Sequence, residues 1–379
     1  MKKVMFYTIE TTKYVFSGSS LAHLNGKVVF VPFSLPNEKL KIEIVNEKKN
    51  YINAKIVEIL ESSPDRVNPT CKYFYRCGGC NMQMAKDEAQ RTLRLLSVKD
   101  TFFKFRIETP IKMIFDKDWE YRARFQFHLF NKKLSLSKEK SSSMINITDC
   151  PVACKEIRAY LKTSPILDDA KDGERLHIFA SNGNVFSDLK NENVSLSILN
   201  KHFLFSHKSF FQSNLGMLEK LIAMLNEYII GGKRLLDFYS GVGTFSLFFA
   251  DKFNEVHLVE HNKHSLEAAK TNLELNGNKH SKSFFYAISS ENWEHLEASK
   301  LFYDVAIVDP PRAGIDKRSM QWFCKKHIKE LFYVSCDPVT FSRDAFVLIN
   351  QGGYKLEKYY LLDFYPQTHH IESLGIFCL

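Results

Sequence analysis

The chain has 379 residues and a formal net charge of +9 from 52 Lys and Arg against 43 Asp and Glu. That length exceeds one ordinary core of roughly 100–200 residues, so two or three domains are expected. No apolar run reaches the ~18 residues of a membrane-spanning helix, and Met1-Lys2-Lys3-Val4-Met5-Phe6 passes at once into Tyr7, Thr8 and Glu10, unlike a signal peptide. We therefore expect a cytoplasmic protein with no membrane partner. The positive balance favours a polyanion through phosphate neutralisation and counterion release. The eight cysteines are not a disulfide framework in a reducing compartment, so they are metal ligands, catalytic groups or core.

Residues 1–62 read as a small β-barrel. Val28–Phe33, Leu40–Val45 and Ile52–Ile59 alternate with period two, and turns fall at Asn25-Gly26 and Leu35-Pro36-Asn37-Glu38. Interleaved lysines give it the look of an oligonucleotide-binding barrel, although such barrels also serve as protein-binding or structural modules. A polar linker, Ser62 to Pro69, ends the module.

Residues 63–205 read as a mixed central α+β region: a basic helix over 86–105, a strand over 121–130 and a Lys/Ser-rich loop over 137–143, with part of 86–110 free to pack on the domain that follows. Three thiols within ten residues, Cys71, Cys77 and Cys80, flank Gly78-Gly79, a ligand-like spacing with glycines that let the chain fold tightly round a centre. Cys150 and Cys154 are the candidates for a fourth ligand. A four-thiolate site suits zinc or a [4Fe–4S] cluster, and spacing does not choose between them.

From 206 to 379 strands alternate with helices, the signature of a doubly wound parallel sheet. The strands are read at 234–239, 255–260, 283–288, 305–309 and 331–335, and two more, 354–363 and 373–379, close one edge. Leu235-Leu236-Asp237-Phe238-Tyr239-Ser240-Gly241-Val242-Gly243-Thr244 is an apolar strand entering a Gly-x-Gly turn that opens a helix, where backbone approaches a ligand. Glu260 ends the next strand, placed to accept ribose hydroxyls. Ser246 stands where the third glycine of a dinucleotide fingerprint would be, so a cofactor without a pyrophosphate, S-adenosylmethionine, fits better than NAD. Asp309-Pro310-Pro311 ends the fourth strand, but Arg312 replaces the aromatic residue that methylation of an exocyclic amine requires. One βα unit later, Cys336 leaves the carboxyl end of an apolar strand, where open α/β sheets bind ligands. It reads as a nucleophile, against the alternative of a small buried hydrophobe.

At Cys-Gly-Gly-Cys, Phe210-Phe211-Gln212, the Gly-x-Gly loop, Asp-Pro-Pro-Arg-Ala-Gly, Ser-Cys-Asp-Pro and Pro366-Gln367-Thr368-His369-His370-Ile371-Glu372, nearly the whole chain resembles the RNA 5-methyluridine methyltransferases. The likeness is to the branch with an N-terminal TRAM barrel and an iron–sulfur cluster that modifies 23S rRNA. The resemblance implies a class I, Rossmann-like methyltransferase domain; a [4Fe–4S] cluster on Cys71, Cys77, Cys80 and Cys150; and a pocket for S-adenosylmethionine and uracil lined by Gln212, Tyr239, Gly241, Gly243, Thr244, Glu260 and Asp309. It also implies Phe210 as a base-stacking wall, Cys336 as nucleophile and Glu372 as general base. Three positions depart from the pattern: Thr244 and Asp337 replace common asparagines, and Ser289 falls near another. The implied partner is 23S rRNA, with tRNA and a non-catalytic RNA-binding protein as alternatives, and a monomer is expected.

Overall fold

The computed structural model describes residues 5–163, 165, 171–190, 193–278 and 281–379. Met1–Val4, part of the opening compared with a signal peptide, lies outside them. Six strands build the first unit: β1 (Phe6–Glu10), β2 (Lys13–Val15), β3 (Ser19–Leu24), β4 (Lys27–Pro32), β5 (Lys39–Glu47) and β6 (Tyr51–Glu61), in the order β1-β5-β6-β4-β3-β2. The inward residues Ile9, Ala22, Val29, Val31, Leu40, Ile42, Ile52 and Ala54 form its core. The first three strands were not legible, because Thr, Ser and His at alternate positions break the apolar rhythm. Of the outward lysines, Lys39, Lys41 and Lys55 lie across from Glu61, Glu58 and Glu43 in cross-strand pairs. Their charge is balanced locally, which weakens the oligonucleotide signal read from lysine spacing alone.

The middle of the chain contributes α1 (Asp87–Lys104), β7 (Ile111–Ile114), β8 (Arg124–Phe130), β9 (Lys133–Ser137), β10 (Met144–Asn146), α2 (Lys155–Lys162), β11 (Arg175–Ser181) and β12 (Asn184–Ser187). Strands β10-β9-β8-β11-β12 form one antiparallel sheet, packed through Phe127, Leu129, Ile157, Leu161 and Ile178. A hairpin of β13 (Val194–Ile198) and β14 (Lys201–Phe205) follows.

The C-terminal part holds α3 (Leu215–Tyr228), β15 (Gly232–Phe238), α4 (Thr244–Phe249), β16 (Phe253–Glu260), α5 (Lys263–Leu275), β17 (Lys282–Ala287), β18 (Val305–Val308), α6 (Lys317–Lys326), β19 (Glu330–Ser335), α7 (Pro338–Gly352), β20 (Lys355–Leu362) and β21 (Glu372–Cys378). The eight-stranded sheet runs β17-β16-β15-β18-β19-β21-β20-β7. Continuous apolar strands such as Val305–Val308, buried at every residue, are what a sheet covered on both faces demands. The last two strands were expected to close one edge. They do not: β7, from far earlier in the chain, pairs in parallel with β20 and takes that edge.

Helix α1 explains how an early segment reaches a late sheet. Its buried residues Gln90, Arg94, Ser97, Val98, Thr101 and Phe102 recur at helical spacing on one face. Val98 and Phe102 enter the C-terminal core beside Phe341 and Tyr359. Arg94, 1% exposed, forms a two-pronged pair with Asp363 at 2.6 Å for each bond, just after β20. Removing one partner strands a buried charge, so Arg94→Leu is expected to destabilise the protein by about 3–5 kcal/mol in urea unfolding, with Arg94→Leu/Asp363→Leu recovering most of that loss.

Candidate active site and cysteine cavity

Strand register brings the candidate nucleophile and the candidate general base together. Strands β19 and β21 are antiparallel, with Ser335 opposite Ser373, so Cys336 and Glu372, the next pair outward, face each other across the ladder. Asp309 leaves the neighbouring strand β18, its backbone N–H donating to the Phe238 carbonyl at 3.3 Å. Glu372 is 3% exposed, while Cys336 and Asp309 are half-buried. Asp337, the departure after Cys336, caps α7: its carboxylate accepts from the N–H groups of Val339 and Thr340, as an N-cap residue should.

Acidic groups crowded out of water set the electrostatics. Burial pushes the Asp309 carboxyl up to about 7, helped by the nearby Asp237. Asp237 is raised to about 6 by burial, against hydrogen bonds from the Ser246 N–H and hydroxyl. Glu372 lies well above the usual carboxylate range through burial and the Asp309 charge, with a Tyr365 hydrogen bond and Arg312 acting the other way. Burial, then Glu372 and Asp309, hold the Cys336 thiol up at about 12. His369 and His370 are depressed to about 4 and about 3, chiefly by burial and with Arg312 adding to it.

The cofactor loop has the form read from the sequence. Tyr239 takes a left-handed φ of 69°, and Gly241 and Gly243 have φ of 53° and 80°. The two glycines serve different ends. A Cβ on Gly241 would meet nothing within 4 Å, so that residue faces open space, whereas one on Gly243 would come 2.9 Å from the Ala269 Cβ where α4 packs on α5. Thr244 begins α4. Glu260 accepts from the Gly241 N–H at 3.0 Å and the Asn262 N–H at 2.8 Å, which holds the loop against the end of β16. Gln212 Oε1 and Ser240 Oγ are buried with no hydrogen-bond partner among the described residues, acceptor capacity that a ligand can use. Phe210 is 61% exposed, with the Arg124 guanidinium 5.8 Å from its ring centre, and so is not a core residue. Ser289 instead takes a hydrogen bond from the Asn292 amide at 3.0 Å. Asp237, Tyr365 and Asn81 carried no role in the sequence reading. For Asp237 a signal existed: an acid ending an apolar strand just before Gly-x-Gly.

Beside the antiparallel sheet, Cys71, Cys77, Cys80 and Cys150 line one cavity of about 320 Å³, with Arg122, Gln83 and Asp149. Cys154 does not line it and is instead the N-cap residue of α2. Burial lifts Cys80 to about 12 and Cys150 to about 11. Among the described residues, no three His, Cys, Asp or Glu side chains converge on a point as they would round a single metal ion.

A doubly wound domain with a ligand cradle at its Gly-x-Gly turn and a thiol facing a buried carboxylate defines a methyltransferase joined to a barrel and a cysteine-rich region. The family model described as tRNA (Uracil-5-)-methyltransferase matches residues 180–378 and that of the TRAM domain residues 8–57, and the chain belongs to the tRNA (uracil-5-)-methyltransferase family. It is an S-adenosylmethionine-dependent RNA uracil-C5 methyltransferase. A protein of Treponema denticola named as an uncharacterized RNA methyltransferase is 46% identical, over 97% of this chain and 98% of its own. A 23S rRNA (uracil(1939)-C(5))-methyltransferase of Shewanella sediminis is 29% identical, over 98% of this chain and 95% of its own. The crystal structure of the Pyrococcus abyssi tRNA (uracil-54, C5)-methyltransferase with S-adenosyl-L-homocysteine shares the fold, with a TM-score of 0.77 and 23% identity over 97% of this chain and 99% of that one.

The raised carboxyls contribute stability that is fully present below their unfolded values near 4 and is lost as pH rises through their folded values, up to about 7 for Asp309. The depressed histidines act oppositely, losing stability as pH falls below 6.5. Comparing a variant with the native chain cancels the histidines. Asp309→Asn is therefore expected to stabilise the ligand-free protein at pH 8 by on the order of 2 kcal/mol and to leave it unchanged near pH 4; denaturant titrations across that range check this.

Proposed function

We propose that this enzyme makes 5-methyluridine in 23S rRNA by covalent catalysis through Cys336. The observation that carries the reading is the facing pair of Cys336 and Glu372 at the carboxyl end of the parallel sheet. Uracil C5 is a weak nucleophile, so the Cys336 thiol gives up its proton to solvent and its sulfur adds to C6, moving the C5–C6 electron pair toward O4. S-adenosylmethionine supplies an electrophilic methyl on a positively charged sulfur, a charge that the crowded carboxylates Asp237, Asp309 and Glu372 would welcome. C5 bonds to that methyl as the sulfur–methyl bond breaks and S-adenosylhomocysteine leaves, so that C5 bears both the methyl and its original hydrogen. Glu372 takes that proton, the C5–C6 double bond re-forms and the S–C6 bond breaks, freeing Cys336.

Gln212, Tyr239, Gly241, Gly243, Thr244, Glu260 and Asp309 are read as holding the cofactor, Gly243 by letting α4 pack close on α5, and Gln212 and Asp309 as holding the uracil edge. Gln212 has a donor and an acceptor for the N3 and O4 positions, and its Oε1 has no hydrogen-bond partner among the described residues. A uridine stacked in a helix hides C6, so the base is taken out of its stack, and the exposed Phe210 ring with Arg124 above it offers a face for it. Ribosomal RNA is favoured over tRNA by the full-length likeness to the Shewanella enzyme. We read the protein as a cytoplasmic monomer; among the described residues, no helix is long and apolar enough to cross a membrane.

The four thiols of Cys71, Cys77, Cys80 and Cys150 fit a [4Fe–4S] cluster better than zinc. One tetrahedral ion would draw four sulfurs to about 2.3 Å from a common point, whereas these wall a cavity of about 320 Å³. Methyl transfer to uracil has no redox step, so the reading gives the cluster a structural or RNA-positioning role.

Nucleosides from unmodified 23S rRNA and tRNA transcripts incubated with S-adenosylmethionine are to be analysed by mass spectrometry. We expect 5-methyluridine in 23S rRNA with the native protein and none with Cys336→Ala; product in tRNA alone would reverse the substrate, and none in either RNA would leave a binding protein. Anaerobically purified protein is expected to be brown, with absorbance near ~400 nm. Cys77→Ala is expected to lose that colour together with folding or RNA affinity.

A further inference from the structure

We propose that Asn81, in the loop just past Cys80, is a positioning residue for Glu372. The inference rests on the reading of Glu372 as general base and concerns how that carboxylate is aimed. Residues 366–370, which lead into Glu372, are tied to other elements by hydrogen bonds from far earlier in the chain. The Asn81 and Met82 N–H groups donate to the Gln367 carbonyl at 3.1 and 3.0 Å. Asn81 Oδ1 accepts from the His369 N–H at 2.9 Å, and its Nδ2 lies 2.6 Å from His369 Nδ1. Gln90 and Gln367 exchange two bonds, at 2.9 and 3.0 Å, Gln367 donates to Asp87 at 2.7 Å, and the Tyr121 hydroxyl donates to the Pro366 carbonyl at 2.9 Å.

Asn81 differs from the others in joining three regions at once. The barrel loop also meets it: a Cβ on Gly18 would lie 2.5 Å from Asn81 Nδ2 and 3.1 Å from His369 Nδ1, and Phe16 sets its ring edge-on to His369. Gly18 has a φ of +81°, so a side chain there is excluded by strain as well as by space. Gln367 is held at a φ of +69° while 1% exposed, a conformation that persists only where its surroundings impose it. The sequence distance from Asn81 to Glu372 thus closes into two hydrogen-bonded residues and a three-residue step along the backbone.

The mechanism gives this role its own signature. If Glu372 is misaimed, addition of Cys336 and methyl transfer still proceed, but removal of the C5 proton slows, and the methylated RNA remains joined to the enzyme through the S–C6 bond. Native protein, Asn81→Ala, Asn81→Ser, Asn81→Asp and Glu372→Gln are to be incubated with S-adenosylmethionine and the unmodified 23S rRNA and tRNA transcripts. Denaturing gels score protein–RNA adducts, nuclease digestion with mass spectrometry of the Cys336 peptide identifies them, and calorimetry measures binding of S-adenosylhomocysteine. We expect Asn81→Ala and Asn81→Ser to accumulate methylated adduct as Glu372→Gln does and to turn over ~10–100-fold more slowly, with S-adenosylhomocysteine affinity unchanged. Asn81→Asp keeps the acceptor for the His369 N–H and is expected to turn over without adduct. The serine variant keeps a polar group in the junction, so the test does not hang on one substitution folding. Adduct with Glu372→Gln but none with either shortened Asn81 variant overturns the positioning role alone. No adduct with Glu372→Gln overturns the general-base reading, and this inference with it.

Discussion

The buried pair of Arg94 and Asp363 is the constraint on which the architecture turns. Arg94 leaves the inner face of α1 and meets Asp363 with two hydrogen bonds at 2.6 Å, and the same guanidinium reaches the His370 carbonyl at 3.4 Å. Neither charge can be solvated there, so the pair is stable only with both partners in register. Satisfying it places α1 against α7, lets β7 add to β20, and brings the start of the loop containing Asn81 toward the residues that precede Glu372. A geometry set by charge pairing in the interior thereby fixes elements that are separated by more than two hundred residues of chain.

The candidate active site lies at the opposite electrostatic extreme, with buried acids that form no ion pair among the described residues. Burial raises all four groups; Asp237 adds to the shift of Asp309, Asp309 to that of Glu372, and Glu372 and Asp309 to that of the Cys336 thiol, while a Tyr365 hydrogen bond and Arg312 act the other way at Glu372. Such an arrangement costs stability at neutral pH and favours a cationic ligand. Asp363, the acid of the structural ion pair, and Glu372 thus sit within one short stretch of β20, β21 and the loop between them, with Asp309 at the end of β18. The first holds the fold; the second is kept poised for chemistry.

The three regions of the chain converge on that loop. The barrel contributes Phe16 and Gly18, the cysteine-bearing segment Asn81 and Met82, and the helix Gln90 and Arg94. The cysteine-bearing segment is therefore hydrogen-bonded directly to the residues that lead into Glu372.

Sequence by itself determined what depends on local pattern and residue chemistry. The apolar strands read at 305–309 and 331–335, the Gly-x-Gly turn, the three clustered thiols and the isolated Cys336 were legible because each is a short-range signal: period, turn chemistry or ligand spacing. Tertiary structure decided what depends on pairing across long separations. That β7 takes the sheet edge, that Glu372 faces Cys336, that Cys150 rather than Cys154 shares the cavity with the other thiols, and that Asn81 grips His369 all follow from strand register and interior charge matching. A register is a relation between two segments, and neither segment records it alone.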